Sequence, residues 1–432
     1  MTVVTERLRS VSSGTLRGAG VTAVIAVLAF VVLGACSPSA KAVKNSSGAT
    51  ILHWYLGPDR VDAEAIARAC TERSDGAFEI RVESLPADAD KRHNALVRRL
   101  SAKDPTIDLI GLDDSFTAEF AEDQLLAPIP DDLAPIYSND VFPKALAAAT
   151  YDGALVAAPW WFDPQLLWYR GTVAERAGLD MTKPVTWDKL IEGASRIGAS
   201  IEIDDHNGRG IADWVTGLVA DAGGSVVDGH GRKSLVGLGG DAGTKAASTV
   251  QFYAESASGI GPSSDAAQIF ASTRGGFLIA PSSVISDPDL AAVASDMRWA
   301  PYPVMNAKGE SVAPLAGVAL AVPLYAPHSE LSFKAVSCLT SNSSMAALMT
   351  SAGHSSSRAT TYNIPGVKSS YPMADTAKAS LKSGSAVPQT PYWQLIRAGL
   401  QDTWLPIDSV TSASTPRLSQ AAVVAILAGE LP

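Results

Sequence analysis

The stretch Ile107-Asp108-Leu109-Ile110-Gly111-Leu112-Asp113 is a mostly apolar run that ends in a carboxylate, which is typical of a buried strand. Upstream, residues 50–55 and 78–82 also have strand patterns, and the segments between these strands carry apolar residues at helical spacing. This strand-helix-strand-helix-strand order predicts a parallel sheet with helices on both faces. Because ligands bind beyond the carboxyl ends of strands in such sheets, Asp113 is a candidate ligand contact.

The second half of the chain is more helical. Residues 187–198, 211–222 and 244–256 have helical periodicity, whereas residues 275–280 and 318–322 return to buried-strand patterns. We therefore predict an α/β fold with two lobes, since the chain is too long for one typical core. The predicted boundaries are 50–160 and 281–345 for the first lobe, and 161–280 and 346–432 for the second lobe with the closing helices.

The first 35 residues have the three parts of a secretory signal peptide. Arginines precede an apolar run over residues 21–33, which is shorter than the ~20 residues that a membrane-spanning helix needs. The run ends in Leu33-Gly34-Ala35-Cys36, which is similar to the bacterial lipobox, whose cysteine is acylated. We expect a lipid on Cys36, anchoring at the outer face of the cell membrane, and a flexible tether over residues 36–49.

Composition excludes some classes of partner. Charged residues make up 18% of the chain, hydrophobic residues 47%, and the formal net charge is -10. Nucleic acids and anionic lipid surfaces need clustered lysines and arginines, so an acidic chain argues against both partners. We expect the mature chain to be a globular monomer.

The cysteines fit an extracytoplasmic protein. If Cys36 is acylated, Cys70 and Cys338 remain as an even pair in a compartment where disulfides persist. We expect them to be bridged, and two buried free thiols are the alternative, because a sequence does not show the distance between their Cα atoms. Neither cysteine has a second ligand at C-x-x-C spacing, which argues against a zinc site.

Catalytic motifs are absent from the sequence. It contains no G-x-x-x-x-G-K-[ST] phosphate loop, no H-E-x-x-H and no G-x-S-x-G. His206 and His230 lie in polar turns, and we interpret both as solvated loop residues. We therefore expect no enzymatic activity, no metal and no cofactor, and we assign any ATP hydrolysis to a partner.

The segment Trp160-Trp161-Phe162-Asp163-Pro164-Gln165 combines aromatic rings with a carboxylate and an amide. Sugar rings offer apolar faces to aromatic side chains and hydroxyl groups to such polar partners, so we interpret Trp160, Trp161, Asp163 and Gln165 as candidate sugar contacts. The alternative is that both tryptophans belong to the core. Trp214 and Trp393 are further stacking candidates, although packing alone explains each of them.

Several motifs occur in the order found in a known family. They are the strand at residues 107–113, residues 117–122, Ala158-Pro159, residues 165–170, residues 222–226, residues 299–303 and residues 315–322. Together they resemble the carbohydrate-binding proteins of ABC importers, the maltose-binding-protein-like family, over nearly the whole mature chain. The resemblance implies a two-lobed periplasmic-binding-protein-like fold with a hinge and a ligand cleft. It also implies capture of a small-molecule sugar and delivery to ABC permease and ATPase subunits.

The resemblance also suggests site residues. Asp113 matches a cleft aspartate, Asp163 stands where the trehalose-binding members have an asparagine, and Asp265 stands near a cleft glutamate. Gly317, in the segment 315–322, is a further expected ligand contact.

Two departures from the trehalose-binding members concern specificity. Ala280-Pro281 stands in place of an Asn-Trp pair, and Val387-Pro388 stands where those members have an arginine. Trp393, Trp160, Trp161 or Arg358 are candidates to replace the missing groups. The departures leave open whether the sugar is trehalose or a related disaccharide or oligosaccharide.

Two alternative functions remain open at this stage. A secreted carbohydrate hydrolase needs two carboxylates ~5 to 9 Å apart across one bond, for which Asp113 and Asp163 are the candidates. A binding protein for a peptide, polyamine or lipid head group is the other alternative. Abundant carboxylates without an aromatic platform would favour that second alternative, and the paired tryptophans argue against it.

Overall fold

The computed structural model describes residues 44–59, 61–256 and 259–430. The predicted signal peptide, Cys36 and most of the predicted tether lie outside the described residues. Among the residues that are described, no helix is both long enough and apolar enough to cross a membrane.

The strands of the structure are short except for one. They are β1 (Thr50–Leu56), β2 (Phe78–Ser84), β3 (Leu109–Asp113), β4 (Thr150–Tyr151), β5 (Ala154–Leu155), β6 (Ala158–Arg170), β7 (Ser200–Asp204), β8 (Val227–Asp228), β9 (Leu235–Val236), β10 (Gly259–Ser263), β11 (Gly275–Pro281), β12 (Met297–Ala300), β13 (Pro314–Ala321) and β14 (Ser385–Ala386).

The α-helices lie between and after these strands. They are α1 (Ala63–Glu72), α2 (Ala89–Ser101), α3 (Thr117–Glu122), α4 (Ala134–Ser138), α5 (Pro143–Ala148), α6 (Gly171–Arg176), α7 (Trp187–Ile197), α8 (Gly210–Asp221), α9 (Asp241–Glu255), α10 (Ala266–Ala271), α11 (Ser329–Leu339), α12 (Asn342–Ala352), α13 (Val367–Ser370), α14 (Ala374–Ser383), α15 (Trp393–Trp404) and α16 (Thr415–Ala428). Short 3-10 helices cover Ser282–Ser286, Pro288–Val293, Thr360–Asn363 and Ile407–Ser409.

The main sheet has the strand order β10-β7-β11-β6-β13-β3-β1-β2, with β12 paired to β6 and β14 paired to β13. Strands β2, β1 and β3 are parallel and alternate with helices α1 and α2 along the chain, which confirms the prediction from the first strands. Asp62 and Asp88 cap these two helices by accepting backbone N–H groups, which sets where each helix begins. The strand predicted over residues 318–322 corresponds to β13, but the antiparallel pairing of β13 with β3 on one side and with β6 on the other was not predicted from the pattern.

Strand β6 connects the two halves of the sheet. Its first part, from Ala158 to Pro164, pairs with β13, which in turn pairs with β3. Its second part, from Gln165 to Arg170, pairs with β11 and β12. Residues near the middle of β6 therefore lie where the two halves meet.

Each half of the sheet has its own hydrophobic core. The first core surrounds β1 and β3 and includes Leu52, Trp54 and Leu109, all fully buried. The second core surrounds β7 and helices α7 to α9 and includes Ile201 and Leu218. Burying each such side chain contributes ~1.5–3 kcal/mol, so either core stabilises its own lobe. The fold is thus two-lobed and α/β, and the residue boundaries given above for the lobes stay a prediction.

Cys70 on α1 and Cys338 on α11 lie at bonding distance. Their Sγ atoms are 2.06 Å apart and their Cα atoms 5.8 Å apart, and 268 positions separate them in sequence. The bridge joins a helix between the first two strands to a helix that follows β13.

Candidate functional site

A cavity of about 70 Å³ lies where β6, β13 and the loop after β7 meet. This volume is smaller than the ~300–1,000 Å³ that is typical of small-molecule sites. The residues that line the cavity are Asp59, Trp161, Asp163, Gln165, Asp204, His206, Asn207, Asp213, Pro281, Ser283, Ala316 and His354.

Strand β6 supplies one wall of the cavity. Trp161, Asp163 and Gln165 are two positions apart, and side chains at alternate positions of a strand project from the same face. Trp160 projects to the other side, where it is fully buried and packs edge-on against Trp54 with 5.3 Å between ring centroids. The structure therefore brings three of the predicted sugar contacts together and places Trp160 in the core.

Asp163 is held by hydrogen bonds within the protein. Its Oδ1 accepts the Ser282 hydroxyl at 3.0 Å and the backbone N–H of Ser355 at 2.6 Å. Its Oδ2 lies 2.6 Å from Nδ1 of His354. The carboxylate is only 2% exposed, so it forms part of the cavity wall and also fixes the residues behind that wall.

His354 lies between Asp163 and the loop after β1. Its Nε2 is 2.5 Å from the backbone carbonyl oxygen of Asp59, and its ring stacks on Trp161 with 4.1 Å between centroids. Burial alone lowers the pKa of His354, but the negative charge of Asp163 and the hydrogen bonds to Asp163 and Asp59 outweigh burial and raise that pKa. One face of the Trp161 ring is thus covered by the His354 ring, and a sugar stacking on Trp161 must use the other face.

Two polar atoms beside the cavity have no hydrogen-bond partner among the described residues. They are Oε1 of Gln165 and Nε1 of Trp161, and both atoms are buried. A buried acceptor and a buried donor without partners are costly, and a solute with hydroxyl groups can satisfy both.

A cluster of buried charges lies behind the wall formed by Asp213. Arg209 lies 2.6 Å from Asp113, 3.3 Å from Asp114 and 3.5 Å from Asp213. Arg92 approaches the other oxygen of Asp113 at 3.3 Å. Asp113 is therefore enclosed by two guanidinium groups, and it does not line the cavity.

The carboxylates of this cluster differ in their pKa values. Burial raises the pKa of Asp113, but the charges of Arg209 and Arg92 outweigh burial and leave that pKa well below the ordinary value. Burial raises the pKa of Asp114 well above the ordinary value, because the opposing charge of Arg209 is countered by that of Asp113. Burial also raises the pKa of Asp213. Within one cluster, Asp113 thus favours the ionised form and Asp114 the protonated form.

The other predicted site residues lie away from the cavity. Trp214 and Trp393 are buried in the core of the second lobe. Arg358 donates to the backbone carbonyls of Asn139 and Ile136, each at 2.7 Å. Its guanidinium therefore supports the end of α4.

Asp265 and Gly317 also have surroundings unlike those expected from the resemblance. Asp265 is exposed and immediately precedes α10. Gly317 lies on β13, where an added Cβ would come within 2.2 Å of the Trp161 carbonyl oxygen. The glycine thus permits close pairing of β13 with β6, and it does not line the cavity.

Most of the remaining cavity residues were not predicted. Asp204 ends β7, and His206 and Asn207 follow it, at a position where ligand contacts are common in such sheets. His206 lines the cavity, so the interpretation of it as a solvated loop residue missed its place at the site. His354 follows the glycine that ends α12, and no motif in the sequence marks it.

No cluster of His, Cys, Asp or Glu side chains suited to holding a metal ion occurs within the described part of the chain. The cavity wall offers carboxylates, amides, imidazoles and an aromatic ring. These groups suit recognition of hydroxyl groups by hydrogen bonding and stacking.

Solved structures of solute-binding proteins have the same fold. Maltose-bound MalE3 of T. maritima matches with a TM-score of 0.74 at 20% identity, covering 86% of this chain and 98% of that one. The GacH receptor of Streptomyces glaucescens, solved unliganded and with acarbose, matches with a TM-score of 0.73 at 17% identity, covering 88% and 98%. UgpB of Mycobacterium tuberculosis in complex with glycerophosphocholine matches with a TM-score of 0.72 at 18% identity, covering 87% and 99%.

A family model agrees with these structural matches. The model for bacterial extracellular solute-binding proteins matches residues 65–380, which is more than half of the chain and includes most of the cavity wall. The chain therefore belongs to the family of bacterial extracellular solute-binding proteins.

Proposed function

We propose that this chain is the solute-binding subunit of an ABC importer, which captures a sugar or related polyol in the cavity and delivers it to a membrane permease. The observation that carries the proposal is the cavity wall on β6, where the Trp161 ring lies beside the unpartnered Oε1 of Gln165. A ring for stacking and buried polar atoms for hydroxyl groups are the two elements that sugar recognition requires.

The matched structures support the class of solute. Those named above were solved with maltose and with acarbose, and another match was solved with D-mannitol bound. The match solved with glycerophosphocholine makes a lipid-derived head group the competing solute. The cavity wall contains carboxylates and no lysine or arginine among its described lining residues, which disfavours a phosphodiester.

Trehalose is the first sugar to test, because of the sequence resemblance to trehalose-binding members of the carbohydrate-binding family. Pro281 lies in the cavity wall at the position where those members have a tryptophan. A proline offers less surface for stacking than an indole ring, so we expect a related disaccharide or oligosaccharide to compete with trehalose.

Hydrolysis of a sugar is the less favoured function. The two carboxylates considered for it were Asp113 and Asp163. Arg92 and Arg209 enclose Asp113 behind the cavity wall, and protein donors occupy Asp163. Neither carboxylate is free to act as a nucleophile or as a general acid at a glycosidic bond.

Anchoring through a lipid on Cys36, a monomeric state and coupling to permease and ATPase subunits complete the proposal. Solute binding between two lobes favours a closed state over an open one, and only the difference in affinity between these states drives closure. The closed lobes are then the form that the permease recognises.

The test is thermal unfolding of the chain from Ser37 onward with trehalose, maltose, maltodextrins, monosaccharides, mannitol and glycerophosphocholine. A solute at 100 times its dissociation constant stabilises the native state by ~2.7 kcal/mol. A rise in Tm with a sugar or polyol supports the proposal and identifies the solute. A rise with glycerophosphocholine alone, or with none of these compounds, contradicts it.

A further inference from the structure

His354 has hydrogen-bond acceptors at both of its ring nitrogens. Nδ1 faces the Asp163 carboxylate at 2.6 Å, and Nε2 faces the backbone carbonyl oxygen of Asp59 at 2.5 Å. A neutral imidazole has one N–H donor and one lone pair, so it satisfies only one of these contacts. The imidazolium ion donates at both nitrogens and satisfies both.

The two oxygens of Asp163 have different partners. The backbone N–H of Ser355 and the hydroxyl of Ser282 both donate to Oδ1. Oδ2 is the oxygen that faces Nδ1 of His354 and accepts its N–H. His354 is 2% exposed, so water does not readily replace its contact with Asp163 or its contact with the Asp59 carbonyl oxygen.

The other charged and titratable groups near His354 come from several elements. Asp59 also approaches Arg92 at 3.8 Å, and the Tyr371 hydroxyl lies 2.6 Å from Ser355. Across the cavity, Asp204, His206 and Asp213 belong to the β7 loop and α8. The Asp163 carboxylate is the charge in direct contact with the ring, and the negative charge of Asp59 also favours a cation.

The contacts of His354 reach three separate parts of the cavity wall. They are the loop after β1 through Asp59, the middle of β6 through Asp163, and the ring of Trp161 through stacking at an interplanar angle of 26°. We infer that His354, held as an imidazolium ion, is the positioning residue that fixes these three parts of the solute cavity relative to one another. The inference rests on the proposed function only in taking this cavity as the solute site.

The charge state is tested without any solute. Protein with ¹⁵N-labelled histidine is titrated by NMR, and the signal of His354 is assigned by its loss in His354→Gln and by its shift in Asp163→Asn. We expect the titration midpoint of His354 to lie above the ordinary histidine pKa of about 6.5, with both ring nitrogens protonated below that midpoint. A midpoint at or below the ordinary value overturns the inference.

The positioning role is tested by hydrogen exchange and by binding. In His354→Gln, one donor is lost, and we expect faster amide exchange around Asp59 and in the middle of β6, with unchanged exchange in α7 to α9. Unchanged exchange at both wall segments overturns the positioning role. His53→Gln, which removes a histidine paired with Glu83 outside the cavity, is the control.

Titration calorimetry with trehalose and with maltose connects the role to the solute. We expect His354→Gln to weaken binding by about ten- to a hundredfold, the effect of losing a hydrogen bond to a charged group. Wild-type affinity should fall as the pH rises through the titration of His354. If neither the His354→Gln substitution nor the rise in pH changes the affinity, the inference is overturned. If neither sugar binds the wild-type protein, the proposed solute is contradicted. The NMR and exchange results then decide the role of His354.

Discussion

Arg209 and Asp113 form an ion pair across the two lobes, with Nη1 of the arginine 2.6 Å from Oδ1 of the aspartate. Asp113 ends β3 in the first lobe, and Arg209 immediately precedes α8 in the second lobe. Both side chains are almost fully buried. The loop that supplies Asn207 to the cavity is therefore attached through Arg209 to the opposite lobe.

Replacing Arg209 tests how much this ion pair contributes to the free energy of unfolding. Arg209→Gln leaves Asp113 and Asp213 with fewer cationic partners, and loss of one partner from a buried ion pair costs ~3–5 kcal/mol. We expect the free energy of unfolding in urea to fall by about that amount. Arg81→Gln is the matched control, because the pair of Arg81 with Glu79 is exposed and should contribute less than ~1 kcal/mol. Equal losses of unfolding free energy in the two variants would contradict a larger contribution of the buried Arg209 ion pairs.

Asp113 and Asp114 are adjacent in sequence and should affect the pH dependence of stability in opposite directions. The pKa of Asp113 is lowered in the folded state by Arg209 and Arg92, so its contribution is full above the unfolded pKa of about 3.9 and is lost as the pH falls toward the folded pKa. We expect Asp113→Asn to be less stable than wild type at about pH 7, and the difference should narrow below about pH 4.

The pKa of Asp114 is raised by burial, so its ionisation opposes folding as the pH rises above about 3.9. Asp114→Asn retains Oδ1 as an acceptor for Arg209 and never ionises. We therefore expect its stability relative to wild type to increase with pH, opposite to the trend for Asp113→Asn. Urea unfolding of both variants from about pH 3.5 to pH 8 measures the two trends, and parallel profiles would show that the two aspartates share one environment.

The sequence pattern predicts the strands and helices of the first lobe because each carries a periodic apolar face. The order of β1, α1, β2, α2 and β3 follows from that periodicity together with the aspartate caps. The antiparallel insertion of β6 and β13 beside β3 was not predictable in this way. It depends on contacts between segments far apart in sequence, such as Gly317 against the Trp161 backbone.

The candidate site was predictable where it lies on one strand and unpredictable where it is assembled from several elements. Alternation along β6 places Trp161, Asp163 and Gln165 on one face, and local sequence contains that information. Asp113 ends a strand, which predicted a ligand contact. Its side chain pairs instead with Arg209, which comes from a distant loop, and it does not line the cavity. His354 has no local signal, since its role depends on where α12 ends relative to β6.

Removing the bridge between Cys70 and Cys338 should reduce stability. A closed loop of 268 positions restricts the unfolded chain, and loss of a native disulfide costs ~2–5 kcal/mol. We expect the free energy of unfolding of the Cys70→Ala, Cys338→Ala double variant, measured in urea, to be lower by that amount. Dithiothreitol should lower the Tm of wild type toward that of the double variant and leave the double variant unchanged. A wild-type Tm that does not respond to the reductant under unfolding conditions would contradict a stabilising bridge.

Trp160 and Trp161 are neighbours on β6, but replacing them by alanine should affect different properties, stability for Trp160 and sugar binding for Trp161. Trp160 is fully buried against Trp54, so Trp160→Ala should lower the free energy of unfolding by ~3–5 kcal/mol. Trp161 is partly exposed and lines the cavity, so its replacement should cost less stability and should weaken sugar binding about tenfold or more through loss of the stacking face. Urea unfolding measures the first effect, and the sugar-induced change in Tm measures the second. If Trp161→Ala keeps the full sugar-induced rise in Tm, the sugar binds elsewhere. If Trp160→Ala weakens sugar binding and leaves the free energy of unfolding unchanged, the division of β6 into a core face and a cavity face is wrong.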